Sequence, residues 1–140
     1  MLDESDAEAA VELLVDARAE HVAVIRAVAA ATAGAGGLDA ERVEDVRLAV
    51  GEASANAVVH AYPDAPGAVA LLVVETPRDL QFVIRDWGPG IRPRADSPGL
   101  GLGLPLIGSL ADAVELTDGP DGSTEVRMSF RRSARAETAL

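Results

Sequence analysis

Leu80-Gln-Phe-Val-Ile-Arg-Asp86-Trp-Gly88-Pro-Gly90 is the stretch on which the fold turns. Side chains alternate along a strand, so Leu80, Phe82 and Ile84 share one face, and Asp86 continues that apolar face at the strand's end. A carboxylate aimed at a core edge needs donors, because an unpaired buried charge is expensive. The turn amides of Gly88 or Gly90 are one source; the exocyclic amine of an adenine is another. Asp-x-Gly-x-Gly favours the second, since two glycines let the backbone come close to a flat ligand.

On the amino-terminal side, Val69–Glu75 reads as a second strand. The turn Thr76-Pro77-Arg78-Asp79 joins it to the first as a hairpin. A helix capped by Asp39 and running to about His60 comes before, with Val43, Val46, Val50, Ala53 and Ala57 as its buried stripe. Tyr62-Pro63 to Gly67 ends it. Further upstream the pattern predicts a short strand over Val11–Leu14, a helix over Ala17–Ala31 and a small-residue connection to Gly37. On the carboxyl side a Gly/Pro-rich loop runs from Trp87 to Gly101. Leu104, Ile107, Leu110 and Ala111 then mark a third helix, with Pro105 in its first turn. A second hairpin pairs Ala113–Thr117 with Thr124–Phe130, and Arg131–Leu140 reads as a patternless tail. Helices and antiparallel hairpins in this order predict an α+β two-layer sandwich, one domain over residues 1–140, with a mostly antiparallel sheet covered on one face by helices.

Composition narrows the chemistry. The net charge is −11, and all 12 basic residues are arginine. So acidic a chain repels phosphate backbones, which argues against direct nucleic-acid binding. Without lysine there is no Walker-type phosphate loop, and without cysteine no disulfide or thiolate metal site. No apolar run is long enough to span a membrane, and the acidic start lacks the basic region of a secretion signal; a cytoplasmic protein is expected.

Two further groups of residues carry chemistry. Glu52 and Asn56, four apart on the second helix, project from one side at the border of its apolar stripe. They form either a plain polar rim or a pocket wall offering oxygen ligands to a hard cation such as Mg²⁺. Gly99-Leu-Gly101-Leu102-Gly103-Leu precedes the third helix, where exposed backbone N–H groups favour negative charge. The alternative is a glycine hinge packed by its leucines. The dinucleotide fingerprint does not fit, because Leu104 or Leu106 falls where its third glycine belongs.

Taken together, the three motifs resemble those of the Bergerat-fold ATPases, the superfamily of gyrase, histidine kinases and MutL. Within it the chain is similar to the compact anti-sigma-factor serine kinases, the RsbW and SpoIIAB group. Glu52-Ala-Ser-Ala-Asn56-Ala-Val-Val-His60-Ala-Tyr62 looks like that group's N box, Asp86–Gly90 like its adenine-side glycine box, and Gly99–Ile107 like its phosphate-side box. The likeness runs from about Val11 to Phe130.

The resemblance implies an ATP- and Mg²⁺-dependent kinase. In it Asn56 holds Mg²⁺, Asp86 accepts from adenine, and Gly88 and Gly90 make room for the base. Gly99, Gly101, Leu102 and Gly103 lie along the phosphates, and Glu52 is the general base. It further implies a homodimer that sequesters a sigma factor and phosphorylates a STAS-type anti-anti-sigma protein on Ser/Thr. A nucleotide-binding partner switch without phosphoryl transfer is the alternative. A histidine-kinase fragment is disfavoured, because His21 stands alone on the first helix. Between the glycine boxes lie only the eight residues Ile91–Pro98, a short lid containing Arg92 and Arg94.

Overall fold

The computed structural model describes residues 9–62, 65–88 and 98–132, with only the backbone described for 98–103. In chain order the elements are β1 (Ala9–Asp16), α1 (Ala19–Ala35), α2 (Ala40–His60), β2 (Ala68–Glu75), β3 (Asp79–Asp86), α3 (Pro98–Leu110), β4 (Ala113–Asp118) and β5 (Thr124–Arg131). The strands form one antiparallel sheet in the order β1-β2-β3-β5-β4, and the helices pack on one face. The α+β sandwich expected from the sequence is what forms.

Strand parity decides which face the helices cover. On β3, Leu80, Phe82 and Ile84 are essentially fully buried. Opposite them in register stand Phe130, Met128 and Val126 of β5 on one side, and Glu75, Val73 and Leu71 of β2 on the other. Phe82 and Phe130 meet edge to face, with ring centroids 5.8 Å apart, a favourable aromatic geometry. From the helix layer come Ile25, Ala29 and Ala33 of α1, Val46, Val50, Ala53 and Ala57 of α2, and Ile107 of α3. Small residues on α1 and α2 let the two helices lie close over the sheet.

The other face of the sheet carries a smaller apolar group, Ala70, Leu72 and Val83. Beside it Arg85 pairs with Glu125 at 2.6 Å, and Arg127 donates to Gln81 at 2.8 Å. Long side chains of this kind cover apolar surface with their stems while their charged ends pair.

Several details go beyond the sequence expectations. Asp39 caps α2 as expected, its carboxylate accepting from the Arg42 N–H at 2.9 Å. Ser54, which falls beside Val43 and Val50 on the helical wheel, is fully buried and donates to the Val50 carbonyl at 2.6 Å. Arg131 is not tail but the last residue of β5. Arg132 follows it in order, its N–H on the Arg78 carbonyl at 2.7 Å and its guanidinium 2.8 Å from Glu75. The expected tail is thereby shortened to residues 133–140, which lie outside the described residues.

The third helix starts earlier than the glycines suggest. It begins at Pro98 and contains Gly99, Gly101, Gly103 and, in its interior, Pro105. Pro98 supplies the fixed φ that suits a first helical position. Pro105 removes one helical hydrogen bond to the residue four before it. That residue is Gly101.

Candidate functional site

The site is assembled where the carboxyl ends of α2 and β3 meet. α2 places Asn56 at 9% exposure, beside the core residues Ala53 and Ala57. Glu52, one turn earlier, is half-buried. Neither side chain has a hydrogen-bond partner among the described residues, so their oxygens are available. Mg²⁺ takes one or two protein oxygens and completes its shell with water and substrate phosphate. Among the described residues no three His, Cys, Asp or Glu side chains gather to hold a metal by themselves.

Asp86 ends β3 on the core face at 4% exposure, where the alternation of Leu80, Phe82 and Ile84 predicts it. Burial pushes its carboxyl above the usual range, and the Gly88 N–H, 3.0 Å from Oδ1, pulls the other way. Of the two donors expected from the sequence, the turn amide is the one the structure shows. The turn amide is present on one oxygen, and a carboxylate can accept from more than one donor.

The close approach of these two ends explains a glycine and a tyrosine. A Cβ at Gly88 would fall on the Ala61 carbonyl oxygen and within 2.7 Å of the Ala61 Cα and Cβ. In this structure the room at position 88 is thus taken up by the end of α2. Tyr62, the next residue, locks the junction. Its hydroxyl donates to the Ala68 carbonyl at 2.7 Å and accepts the Trp87 N–H at 2.8 Å. Its ring occupies the space a side chain at Gly67 would need. One phenol therefore ties α2, the start of β2 and the turn after Asp86. The Tyr62 role is not among the sequence expectations, although Gly67, five residues on, is its local trace. Trp87 stands 37% exposed at the rim, and His60 closes α2.

α3 packs against α2. It is fixed at its carboxyl end by Arg42 of α2, whose guanidinium donates to the Leu110 carbonyl at 3.0 Å and pairs with Asp45 and Asp112. The same group lies 5.0 Å over the Phe130 ring. Gly99, Gly101, Leu102 and Gly103 belong to the first turns of α3. Gly90, Arg92 and Arg94 lie outside the described residues.

Comparison with known proteins identifies the family. A family model described as the histidine kinase-like ATPase domain matches residues 15–130, a span that includes all three motifs. The chain is 30% identical over 121 residues to the serine-protein kinase RsbW of Bacillus thuringiensis (strain Al Hakam), covering 76% of each chain. It shows the same identity and coverage with the RsbW proteins of Bacillus cereus (strain AH820) and Bacillus anthracis. No described helix is long and apolar enough to cross a membrane.

Proposed function

The chain belongs to the histidine kinase-like ATPase family, alongside the RsbW serine-protein kinases, and on that footing we propose that it is an ATP-dependent serine/threonine protein kinase and anti-sigma factor. It would sequester a sigma factor and phosphorylate a STAS-type anti-anti-sigma protein, as a cytoplasmic homodimer. The observation that carries the kinase assignment is the pairing on α2: half-buried Glu52 one turn from buried Asn56.

Bound Mg²⁺ and ATP supply the phosphoryl group and neutralise its charge. The chain's own residues do the rest. Asp86 accepts from the amine of the base, and the Gly88 bond keeps its carboxylate in place. Gly88 lets the end of α2 abut the turn that holds Asp86, Gly90 makes room for the base, and Gly99, Gly101, Leu102 and Gly103 follow the phosphates from the amino-terminal turns of α3, where a helix favours anions. Asn56 offers an oxygen to the metal. Glu52 would take the proton of the acceptor hydroxyl as that oxygen bonds to the γ-phosphorus and the bond from the γ-phosphorus to its bridging oxygen breaks, releasing ADP. Phosphoryl transfer asks for little more than such positioning and charge neutralisation.

The test is transfer of labelled phosphate from ATP to STAS-domain proteins by the purified chain. Glu52→Gln should cut transfer about 10²- to 10⁴-fold, the usual contribution of a general base. Nucleotide binding, read from the single tryptophan, Trp87, should be unchanged. Undiminished transfer would remove Glu52 as the base. Nucleotide binding without any transfer by the unaltered protein would make the chain a nucleotide-sensing partner switch.

A further inference from the structure

On the side of α2 that faces away from the core, Glu41, Leu48, Glu52, Ala55 and Val59 fall in one line. At 3.6 residues per turn they lie within about 60° of one another. Leu48 is 47% and Val59 64% exposed, although both are large aliphatic residues. Glu41 is exposed, and Glu52 and Ala55 are half-buried. From this line we infer that the outward face of α2 is the docking surface for the acceptor protein. It selects a hydroxyl-bearing segment flanked by aliphatic side chains, with a basic group toward Glu41.

The inference rests on the assignment of Glu52 as base, and geometry supplies the rest. A general base works within about 3 Å of the hydroxyl it deprotonates, so the acceptor must sit directly over Glu52. Leu48 lies about 6 Å from Glu52 along the helix axis and Val59 about 10 Å, at 1.5 Å per residue. A protein seated over Glu52 with an ordinary footprint of about 800 Å² covers both. It then takes two exposed aliphatic side chains out of water.

Charge sets the polarity of the segment. Beyond Leu48 the face is acidic: Arg47 holds Glu44 at 3.2 Å, while Glu41 has no ion pair among the described residues. A basic group on the acceptor complements it. A second copy of this chain is a poorer occupant, since it would set one acidic line against another on a chain of net charge −11 and would cover Glu52 itself.

The experiment uses the full chain and a STAS-domain protein that it phosphorylates. Leu48→Ser and Val59→Ser should each raise KM for that protein about tenfold. In both variants kcat should stay within about threefold, with nucleotide affinity and Tm unchanged, as suits exposed positions. Val24→Ser on α1, where Val24 is 45% exposed, should change nothing. Glu41→Arg should raise KM and weaken its dependence on salt. Unchanged KM in both serine variants overturns the docking surface and leaves the base standing. Conversion of a dimer to monomers by the same variants overturns it in favour of a self-interface. Failure of the unaltered protein to phosphorylate any STAS protein overturns the kinase assignment, and the surface with it.

Discussion

Asp86 shows how a single side chain can work against the fold that holds it. Burial raises its pKa above the ordinary carboxylate value, and the Gly88 N–H only partly offsets this. A folded pKa above the unfolded one means stability that is complete below the ordinary value and lost as pH rises through the folded one. Holding a carboxyl at this position therefore costs the ligand-free protein stability once the pH is above the ordinary carboxylate value. Asp86→Asn, which keeps an oxygen for Gly88, should raise the Tm of the ligand-free protein at pH 7 in a thermal scan. It should also weaken ATP binding more than about a hundredfold by calorimetry, since an amide can turn a donor toward the amine and leave it unpaired. In the unaltered protein, affinity for ATP should fall as pH drops through the raised pKa. An unchanged affinity in the asparagine variant would remove Asp86 from the nucleotide site.

Elements meet this site through their ends. α2 abuts the turn after β3 so closely that no side chain fits at position 88. Gly88→Ala should therefore cost ~2 kcal/mol in denaturant unfolding, the usual scale of overpacking, and weaken nucleotide binding by displacing Asp86. The same elements show what the sequence makes legible. The inward aim of Asp86 could be read because alternation on β3 is a local property of Leu80, Phe82 and Ile84. The span of α2 could be read because Asp39 at one end and Tyr62-Pro63 at the other are local signals. The start of α3 could not: Pro98 and Pro105 both suit a first helical turn, and three glycines argue against helix between them. Nor could Tyr62, whose hydroxyl finds its partners at Ala68 and, across 25 residues, at Trp87.

Across the whole molecule, Arg42 links the helix layer to the sheet. It pairs with Asp45 on its own helix, with the Leu110 carbonyl at the end of α3, and with Asp112. Asp112 in turn accepts the Arg131 N–H of β5. Arg42→Ala would strand these acceptors and uncover one side of Phe130. It should cost about 2–3 kcal/mol, seen as a lowered midpoint in denaturant unfolding; a loss below about 0.5 kcal/mol would mean that the network is ornamental. Arg42 also makes α3 unequal along its length. Its carboxyl end is moored, whereas its first turns contain three glycines, each about 1 kcal/mol less favourable in a helix than alanine, and lead into Pro105. The helix is thus cheapest to unwind at the end where phosphates would settle. An anion bound there would supply the free energy that its composition withholds, so nucleotide occupancy and helix length would become one variable. A partner that touches the start of α3 could then sense the nucleotide without ever meeting it.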